Sequence, residues 1–381
     1  MKMLFASDSF KGSLTAVEIC DLLQEAAADI FPDAETVSLP IADGGEGTVD
    51  ALLCAMGGKR MTTRVTGPLL MPVDAQWGLL GDGQTAVLEM AQASGLPYVP
   101  AARRDPRKTT SYGTGELIAE AVRCGAKSLL IGIGGSATND GGLGMLSALG
   151  AVFTDRQGKP VPPTGGALAD VCHADFSGLM PELADCRITV LCDVTNPLLG
   201  ATGATYTYGP QKGATPEMAE RLDRALLHYA ETLRAQLGAD VANRPGAGAA
   251  GGLGAALYAF MNAQFRRGID VVLELQDFAG QVQNADLVIT GEGRTDGQTL
   301  FGKVPMGVAE TAKRQGDIPV CVFSGGVSAD AQALYQHGVD GLYAIADGPI
   351  TLQESSARAE ELLERTAESV VRTVLAAQRR R

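Results

Sequence analysis

Histidine, tryptophan and positive charge are scarce in this chain. Its 381 residues contain three histidines, one tryptophan, and 31 Lys and Arg against 44 Asp and Glu, which gives a net charge of −13. The acidic balance argues against binding of a nucleic acid polymer, because such proteins neutralise phosphates with Lys and Arg. None of the histidines lies in a glycine-rich loop, which argues against a Ser-His-Asp site or a histidine metal site.

Cysteine pairs and long apolar runs are also missing. The seven cysteines form no CxxC pair and their number is odd, which is typical of reduced thiols in the cytosol. No apolar run reaches 18 residues, and the first residues lack the apolar stretch and cleavage site of a signal peptide. We therefore expect a cytoplasmic protein without a membrane-spanning segment.

Glycine, in contrast, is abundant. The chain has 48 glycines, whereas an average composition of about 7% would give about 27. Seven short windows hold 23 of them, and most of these windows are polar: 43–48, 113–115, 132–144, 209–213, 246–254, 291–297 and 325–326. This placement predicts polar loops in which the backbone can approach a ligand closely.

The order of predicted elements indicates an α/β protein with a discontinuous domain. Residues 1–60 and 285–381 alternate between strand and helix, which predicts one shared parallel sheet. Residues 61–284 combine short antiparallel strands with helices in the predicted pattern, and we expect them to form a second, inserted α/β domain. Within the insert, a helix is expected to open on Gly246–Gly254 and to end near Arg267.

Three glycine motifs partly match phosphate-binding fingerprints. Gly132–Ala137 fits G-x-G-x-x-A after a strand, as in a dinucleotide fold, but a polar stretch separates it from the next helix. Gly246–Gly251 fits G-x-G-x-x-G without a preceding strand, so it serves close helix packing or an anion-binding helix start. Gly297–Lys303 fits G-x-x-x-x-G-K, but Val304 replaces the Ser or Thr of a P-loop. Lys303 itself precedes a helix, as a phosphate contact or as a solvated lysine.

Charged residues recur at the predicted ends of strands. A single acidic residue there is usually a turn former or a helix cap, but six occur beside several cations. Carboxylates hold Mg²⁺ and accept hydroxyl protons, while Lys and Arg neutralise phosphate. The mixture is typical of phosphoryl transfer to a small polar acceptor. The acidic residues are Asp8, Asp43, Glu46, Asp193, Glu292 and Asp296; the cations are Lys11, Lys212, Arg294 and Lys303.

Eight motifs, in order from residue 1 to about residue 345, resemble the bacterial type I glycerate kinase family. They are 8–13, 42–48, 113–116, 134–142, 192–198, 209–213, 245–252 and 290–296. The resemblance implies ATP-dependent phosphorylation of D-glycerate with Mg²⁺, a step of organic acid catabolism. The implied product is 2-phosphoglycerate, with 3-phosphoglycerate as the alternative. The implied fold has two α/β domains, one of them flavodoxin-like and discontinuous, with the active site in the cleft between them.

The residue roles are hypotheses within this framework. Asp193 is expected to be the general base, or else only to cap its turn, and Lys11 and Arg294 are expected to bind the glycerate carboxylate or the transferring phosphate. Further substrate contacts are assigned to Asp8, Ser9, Asn196 and Lys212. Nucleotide contacts are assigned to Gly134, Gly135, Ser136, Asn139, Asp140, Gly246, Gly248 and Lys303, and metal contacts to Asp43, Glu46 and Asp296.

Two other classes of function remain open at this point. One is an oxidoreductase that binds a nucleotide cofactor at the Gly132–Ala137 loop. The other is a protein that binds a sugar-acid phosphate without turnover. Expected partners are glycerate and ATP, with a homodimer left open and neither nucleic acid nor membrane expected.

Overall fold

Strands and helices alternate over most of the chain. The structure, a computed structural model, describes residues 1–238 and 240–378. The strands are β1 (Lys2–Phe5), β2 (Glu35–Ser38), β3 (Gly58–Thr66), β4 (Pro72–Leu80), β5 (Thr85–Glu89), β6 (Ser128–Gly132), β7 (Val152–Thr154), β8 (His173–Asp175), β9 (Arg187–Leu191), β10 (Gln264–Arg266), β11 (Leu287–Thr295), β12 (Val320–Val327) and β13 (Gly341–Ala344).

The α-helices connect these strands. They are α1 (Ala16–Ile30), α2 (Thr48–Met56), α3 (Ala91–Ser94), α4 (Tyr112–Arg123), α5 (Leu143–Ala148), α6 (Ala204–Tyr208), α7 (Pro216–Leu237), α8 (Ala249–Met261), α9 (Gly268–Leu275), α10 (Phe278–Gln281), α11 (Val304–Gln315), α12 (Leu352–Ala357) and α13 (Ala359–Gln378). Short 3-10 turns include Pro210–Lys212, Gly297–Phe301 and Ala329–His337. No helix within residues 1–238 and 240–378 is both long and apolar enough to cross a membrane.

The chain divides into two units. The first unit comprises residues 1–43, 50–57 and 267–381, and the second comprises 44–49 and 58–266. These bounds differ from the expected ones at three segments, which are 44–49, 58–60 and 267–284. Residues 267–284 belong to the first unit, where the Gln276 amide donates to the Pro40 carbonyl at 2.8 Å. Residues 44–49 belong to the second unit, where the backbone N–H of Val49 donates to Glu89 at 2.9 Å.

A parallel sheet forms the centre of the first unit. Its strand order is β13-β12-β11-β1-β2, and all neighbours run parallel. Helices α1 and α13 pack on it through apolar side chains such as Leu23 and Leu363, against Phe5 and Ile289. Strands covered by helices on both faces are continuous apolar runs, and this is why β1 and β11 are apolar where they pair.

A mixed sheet forms the centre of the second unit. Its order is β10-β9-β6-β5-β4-β3. The β3–β4 and β4–β5 pairs are antiparallel, and the β5–β6, β6–β9 and β9–β10 pairs are parallel. Trp77, Leu88, Ile131 and Val190 are part of its core. The predicted α/β class, with a parallel sheet and a second mixed α/β region, is therefore confirmed.

The segment after Gly246 differs from its prediction. Helix α8 contains three left-handed residues near its start, at 250–252, with φ of 54°, 68° and 91°. It ends at Met261, because Asn262 adopts φ 44°, and β10 follows at Gln264–Arg266. The expected helix up to Arg267 is wrong, since a left-handed residue breaks the helical hydrogen-bond ladder and frees the next residues to pair with β9.

Two further bounds were misjudged. Strand β11 continues to Thr295, so Glu292 lies within the strand and not after it. From the sequence we expect one long helix over residues 353–381. The structure has two helices there, α12 and α13, interrupted at Arg358, and residues 379–381 lie outside the described part of the chain. The spacing of Thr15 and Glu18 in the sequence also predicts a capping box at the start of a helix, and this prediction is confirmed.

Candidate functional site

Strands β1 and β11 meet at the point where the parallel sheet of the first unit reverses its winding direction. The chain leaves β1 towards β2 on one side and returns at β11 on the other. Ligands of open α/β sheets bind beyond the carboxyl ends of the strands at such a switch point. After β1 the backbone still runs alongside β11: the N–H of Asp8 donates to the Gly291 carbonyl at 2.9 Å. Asp8 and Glu292 are therefore placed at this edge.

Glu292 is buried but well supplied with donors. Its carboxylate accepts hydrogen bonds from Thr295 Oγ1 at 3.2 Å, Thr299 Oγ1 at 2.5 Å and Lys303 Nζ at 3.2 Å. Lys303 Nζ also lies 3.9 Å from the Asp296 carboxylate. Burial raises the pKa of Glu292, and the surrounding donors oppose that shift. This network anchors the turn 297–301 and the start of α11, and it places the Lys303 side chain in an ion pair.

Asp8 is buried with fewer partners. The residue is 8% exposed, and its Oδ1 accepts a hydrogen bond from the backbone N–H of Ser9 at 2.7 Å. Burial and, next, the negative charge of Asp43 raise the pKa of Asp8 to about 7, against the opposing charge of Lys11. Asp8 can therefore hold or release a proton near neutral pH.

A cavity of about 310 Å³ opens on the same unit. Its lining includes the two cations predicted to bind substrate, Lys11 and Arg294. The Arg294 guanidinium donates to Ser328 Oγ at 3.2 Å and lies 3.9 Å from Asp296. A small anion in this cavity would meet two cationic side chains, hydroxyl groups and glycine backbone. The other lining residues are Phe10, Ser13, Gly293, Gly325, Gly326, Val327, Ser328, Ile345, Leu352, Ser355, Ser356 and Ala359.

The second unit contains a polar, glycine-rich loop between β6 and α5. Gly134 and Gly135 are exposed, whereas residues 136–140 are buried. Asp140 accepts hydrogen bonds from the backbone N–H and hydroxyl of Ser111 at 2.7 and 2.8 Å, and from the N–H groups of Gly142 and Gly144. The carboxylate thus shapes the loop itself, and its contact with a nucleotide stays a prediction.

The second glycine-rich loop packs directly against the first. Gly141 N–H donates to the Gly251 carbonyl at 3.0 Å. A Cβ atom at Gly251 would lie 2.0 Å from the Thr138 carbonyl oxygen, so only glycine allows this approach. Gly248 N–H donates to the Asn196 carbonyl at 3.0 Å. The structure thus brings the two predicted nucleotide loops together, but it uses the Gly248 amide internally.

Lys212, predicted to bind substrate, is buried. It is 1% exposed, and Nζ donates to Ser136 Oγ at 2.8 Å and to the Thr138 carbonyl at 2.7 Å. Burial lowers the pKa of Lys212 to about 7, against the opposing charge of Asp140. The side chain supports the glycine loop from within the protein and is not exposed to a substrate.

The other predicted residues of this unit have varied surroundings. Asp193 is exposed two residues after β9. Asn196, in contrast, holds its own loop: Nδ2 donates to the Thr202 carbonyl at 2.8 Å, and Oδ1 accepts from the Tyr208 hydroxyl at 2.6 Å. Asn139 is fully buried, and its Nδ2 donates to Thr205 Oγ1 at 3.0 Å.

The predicted metal ligands do not form a ready-made cage. Asp43 and Asp296 belong to the first unit and Glu46 to the second. Among residues 1–238 and 240–378, no group of three or more His, Cys, Asp or Glu side chains could hold a metal ion. Mg²⁺ commonly uses one or two carboxylates together with substrate phosphates, so this finding bears only on a site built from protein ligands alone.

Three residues of these networks were missed by the sequence reasoning. Glu89 ends β5, is 4% exposed and binds the N–H of Val49; an acidic residue at a strand end is the signal used elsewhere in the chain and would have found it. Ser111 and Thr299 contact carboxylates that are 29 and 7 residues away. Neither has a local sequence signal.

Comparison with known proteins gives a consistent result. The family model described as the glycerate kinase family matches residues 3–375. A protein of Bacillus subtilis (strain 168) named glycerate kinase is 49% identical over 374 residues, covering 98% of each chain. A protein of Escherichia coli (strain K12) named glycerate 2-kinase is 48% identical over 374 residues, again covering 98% of each chain.

The fold comparison agrees. A crystal structure named as a glycerate kinase 2 from Salmonella typhimurium LT2 matches with a TM-score of 0.89 and 49% identity, over 100% of this chain and 99% of that one. These relatives carry the names of kinases, and not of oxidoreductases or non-catalytic binding proteins, the two alternatives left open by the sequence. The resemblance seen in eight motifs is confirmed: this chain belongs to the glycerate kinase family and is an enzyme, a kinase.

Proposed function

We propose that this enzyme transfers the γ-phosphate of ATP to D-glycerate and forms 2-phosphoglycerate, with Mg²⁺ as the metal ion. The observation that carries this proposal is the 310 Å³ cavity that places Lys11 and Arg294 at the carboxyl edge of a parallel sheet. Full-length relatives named glycerate kinase and glycerate 2-kinase support the choice of substrate and position.

Recognition of glycerate is assigned to the cavity of the first unit. Glycerate carries one carboxylate and two hydroxyl groups, so it needs cations and hydrogen-bonding groups rather than a large apolar surface. Arg294 offers a planar guanidinium that can hold a carboxylate with two parallel hydrogen bonds. Lys11 adds a second positive charge that also suits the transferring phosphate.

Nucleotide binding is assigned to the glycine loop of the second unit. The exposed part is Gly134–Gly135, where backbone N–H groups without side chains can approach phosphate oxygens. Asn139, Asp140, Gly246 and Gly248 then act by shaping this loop and its neighbour. Lys303 is held by Glu292 and remains a proposed phosphate contact.

The metal assignment is argued from the chemistry of the proposed ligands. Asp43, Glu46 and Asp296 offer hard carboxylate oxygens, which fit Mg²⁺. One or two of them, together with ATP phosphates, would complete its coordination. When bound, Mg²⁺ would neutralise charge on the β- and γ-phosphates.

The proton of the attacking hydroxyl needs an acceptor. Asp193 remains our proposed base, since its carboxylate follows a strand end and is exposed to a ligand. Asp8 is the alternative that the fold adds, because it lies at the switch point and takes up a proton near neutral pH. Substitution of each carboxylate by the amide separates the two.

The test of the proposed function is an ADP-release assay with D-glycerate, followed by NMR of the product. We expect turnover that requires ATP, Mg²⁺ and D-glycerate, and phosphate on the 2-oxygen. A product phosphorylated at the 3-oxygen would overturn the position only. No ADP release with D-glycerate, under conditions where L-glycerate or another hydroxy acid is phosphorylated, would overturn the substrate.

A further inference from the structure

Lys212 is a buried cation whose place in the second unit is tightly determined. It ends the 3-10 turn Pro210–Lys212, and Gly213 follows with φ 92°. A Cβ atom at Gly213 would lie 2.3 Å from the Arg104 carbonyl oxygen. Arg104 in turn donates its Nη1 to the Gln211 carbonyl at 3.1 Å. Arg104 thus contacts the residues before and after Lys212, and these contacts determine where the Lys212 side chain begins.

The partners of the Lys212 ammonium are neutral. Its two recorded acceptors in the described part of the chain are Ser136 Oγ and the Thr138 carbonyl, although an ammonium has three N–H donors. A charge buried without an ion pair costs free energy, which the group can avoid by losing its proton. The lowered pKa of Lys212, about 7, has this cause.

Both acceptors belong to the loop whose exposed part is Gly134–Gly135. Ser136 follows this exposed pair directly, and Gly135 has φ 71°. Thr138 Oγ1 is buried without a hydrogen-bond partner. Buried hydroxyls nearly always have a hydrogen-bond partner, so the Thr138 hydroxyl beside the lysine can still form a hydrogen bond. The buried cation therefore lies directly behind the backbone that a ligand can reach.

If Lys212 only held the loop in place by hydrogen bonds, its side chain would not need a charge. A neutral side-chain amide could donate to the same hydroxyl and carbonyl oxygen without the cost of burying an ammonium. A positive charge behind exposed backbone N–H groups is useful when the ligand is an anion, because the low dielectric of the interior strengthens the attraction.

We propose that Lys212 is a positioning residue of the Gly134–Gly135 backbone, which it holds through Ser136 and Thr138, and that its charge attracts a nucleotide phosphate to this backbone. The proposal rests on the proposed function, since ATP binding at this loop is itself proposed. A phosphate at the loop favours the charged form of the lysine. Binding of MgATP at pH 8, where free Lys212 is mostly neutral, therefore takes up a proton.

Other groups around Lys212 carry charge or titrate. Asp140 lies in the same loop, and its negative charge favours the ammonium. Arg104 contacts the turn, and Tyr229 of α7 is electrostatically coupled to Asp140. The pKa of Tyr229 lies well above its ordinary value of 10, so the hydroxyl stays protonated at pH 8. Burial raises the pKa of Asp140 as well, so the variant at Lys212 itself, and not the pH dependence alone, assigns the proton to the lysine.

The test is calorimetry of MgATP binding, without glycerate, in buffers of different ionisation enthalpy at pH 8 and pH 6. We expect the wild type to take up about 0.5–1 proton at pH 8 and almost none at pH 6. Lys212→Gln keeps a donor but loses the charge, so uptake should vanish and Kd should rise about tenfold to a hundredfold. Lys159→Met, at an exposed lysine of the same unit, should behave as the wild type.

The outcomes separate the two proposals. Wild type that releases ADP with D-glycerate but takes up no proton at pH 8, or Lys212→Gln with unchanged uptake and affinity, would overturn the role of Lys212 alone. Wild type that neither binds MgATP nor releases ADP would overturn the proposed function and this inference together. If Lys212→Gln does not fold, proton uptake of the wild type at pH 8 is compared with that of Asp8→Asn, because Asp8 is another side chain whose pKa is about 7. Uptake that is lost in Asp8→Asn would overturn the role of Lys212, and unchanged uptake would support it.

Discussion

A buried carboxylate of the first unit and a buried ammonium of the second have opposite surroundings. In the first unit, the Glu292 carboxylate is met by two hydroxyl groups and the Lys303 ammonium. In the second, the Lys212 ammonium is met by a hydroxyl and a carbonyl oxygen, neither of them charged. A buried charge that is matched by partners acts as a structural anchor. One that is left unmatched is free to respond to an incoming charge.

The contrast is reversed between two buried aspartates. Asp140 in the second unit accepts four hydrogen bonds and caps the start of α5. Asp8 in the first unit accepts one, from Ser9. Each unit thus contains one saturated group, Glu292 or Asp140, and one unsaturated group, Asp8 or Lys212. The unsaturated groups are the ones that we connect with ligands and proton transfer.

The largest expected effect comes from replacing the proposed base. Asp193→Asn should lower kcat by about 10²–10⁴ while MgATP binding persists, because general-base catalysis contributes that much. Rates and nucleotide affinity are measured with D-glycerate for Asp193→Asn and Asp8→Asn side by side. Near-normal turnover of Asp193→Asn, with the loss appearing in Asp8→Asn, would move the base to the first unit.

The pH dependence of local stability should have opposite signs in the two units. The pKa of Asp8 is raised from 3.8 to about 7, so its contribution to stability is lost as pH rises from about 4 to 7. The pKa of Lys212 is lowered from 10.5 to about 7, so the cost of its charge disappears as pH rises from about 7 to 10.5. Each shift corresponds to a change on the order of 4 kcal/mol.

Hydrogen exchange followed by mass spectrometry reports each unit separately, in peptides that cover β1 and β6. After correction for intrinsic exchange, Asp8→Asn should flatten the pH dependence at β1 only, and Lys212→Met at β6 only. Equal slopes in both units of the wild type would contradict the comparison between them.

The saturated groups should matter for stability in both units. Asp140→Asn places an amide N–H₂ against donors of Ser111 or Gly144 and should cost about 3 kcal/mol. Glu292→Gln leaves Lys303 without its near carboxylate and should cost about 2 kcal/mol, since hydrogen bonds to charged groups contribute about 1.5–3 kcal/mol each. Calorimetric unfolding measures both losses. Glu35→Gln, at an exposed side chain, is the control and should leave the transition unchanged.

The smallest effects are expected at exposed ion pairs. Arg294 pairs with Asp296 in the first unit, and Arg64 pairs with Asp74 in the second. Replacing either arginine by lysine should change stability by less than about 0.5 kcal/mol. Arg294→Lys should nevertheless raise KM for D-glycerate about tenfold, because lysine lacks the planar fork. An equal rise of KM in Arg64→Lys would show that the effect is not specific to the cavity.

Local patterns predicted much of this fold. The capping box at Thr15 and Glu18 marked the start of α1 correctly, because its signal spans only four residues. The end of α8 was missed, since the left-handed turn at Asn262 has no strong signature in the sequence. The extension of β11 to Thr295 was also missed, because its later residues are polar yet pair with β12.

The candidate site shows the same limit. Glycine motifs and acidic residues at strand ends identified the loops that carry the polar groups of both units. The hydrogen-bond partners of these residues were not predictable, because Ser111 meets Asp140 and Ser136 meets Lys212 across 29 and 76 residues. Lys212 looked like a loop cation in the sequence, and only its burial shows that it supports the loop from inside.

Apolar periodicity, glycine placement and motif order are local properties of the chain, so they were enough to predict the α/β class and the family. The tertiary structure alone decided which charges are matched and which are not. The energy of a buried charge depends on the donors and acceptors that distant segments bring to it, and these are set only when the chain packs.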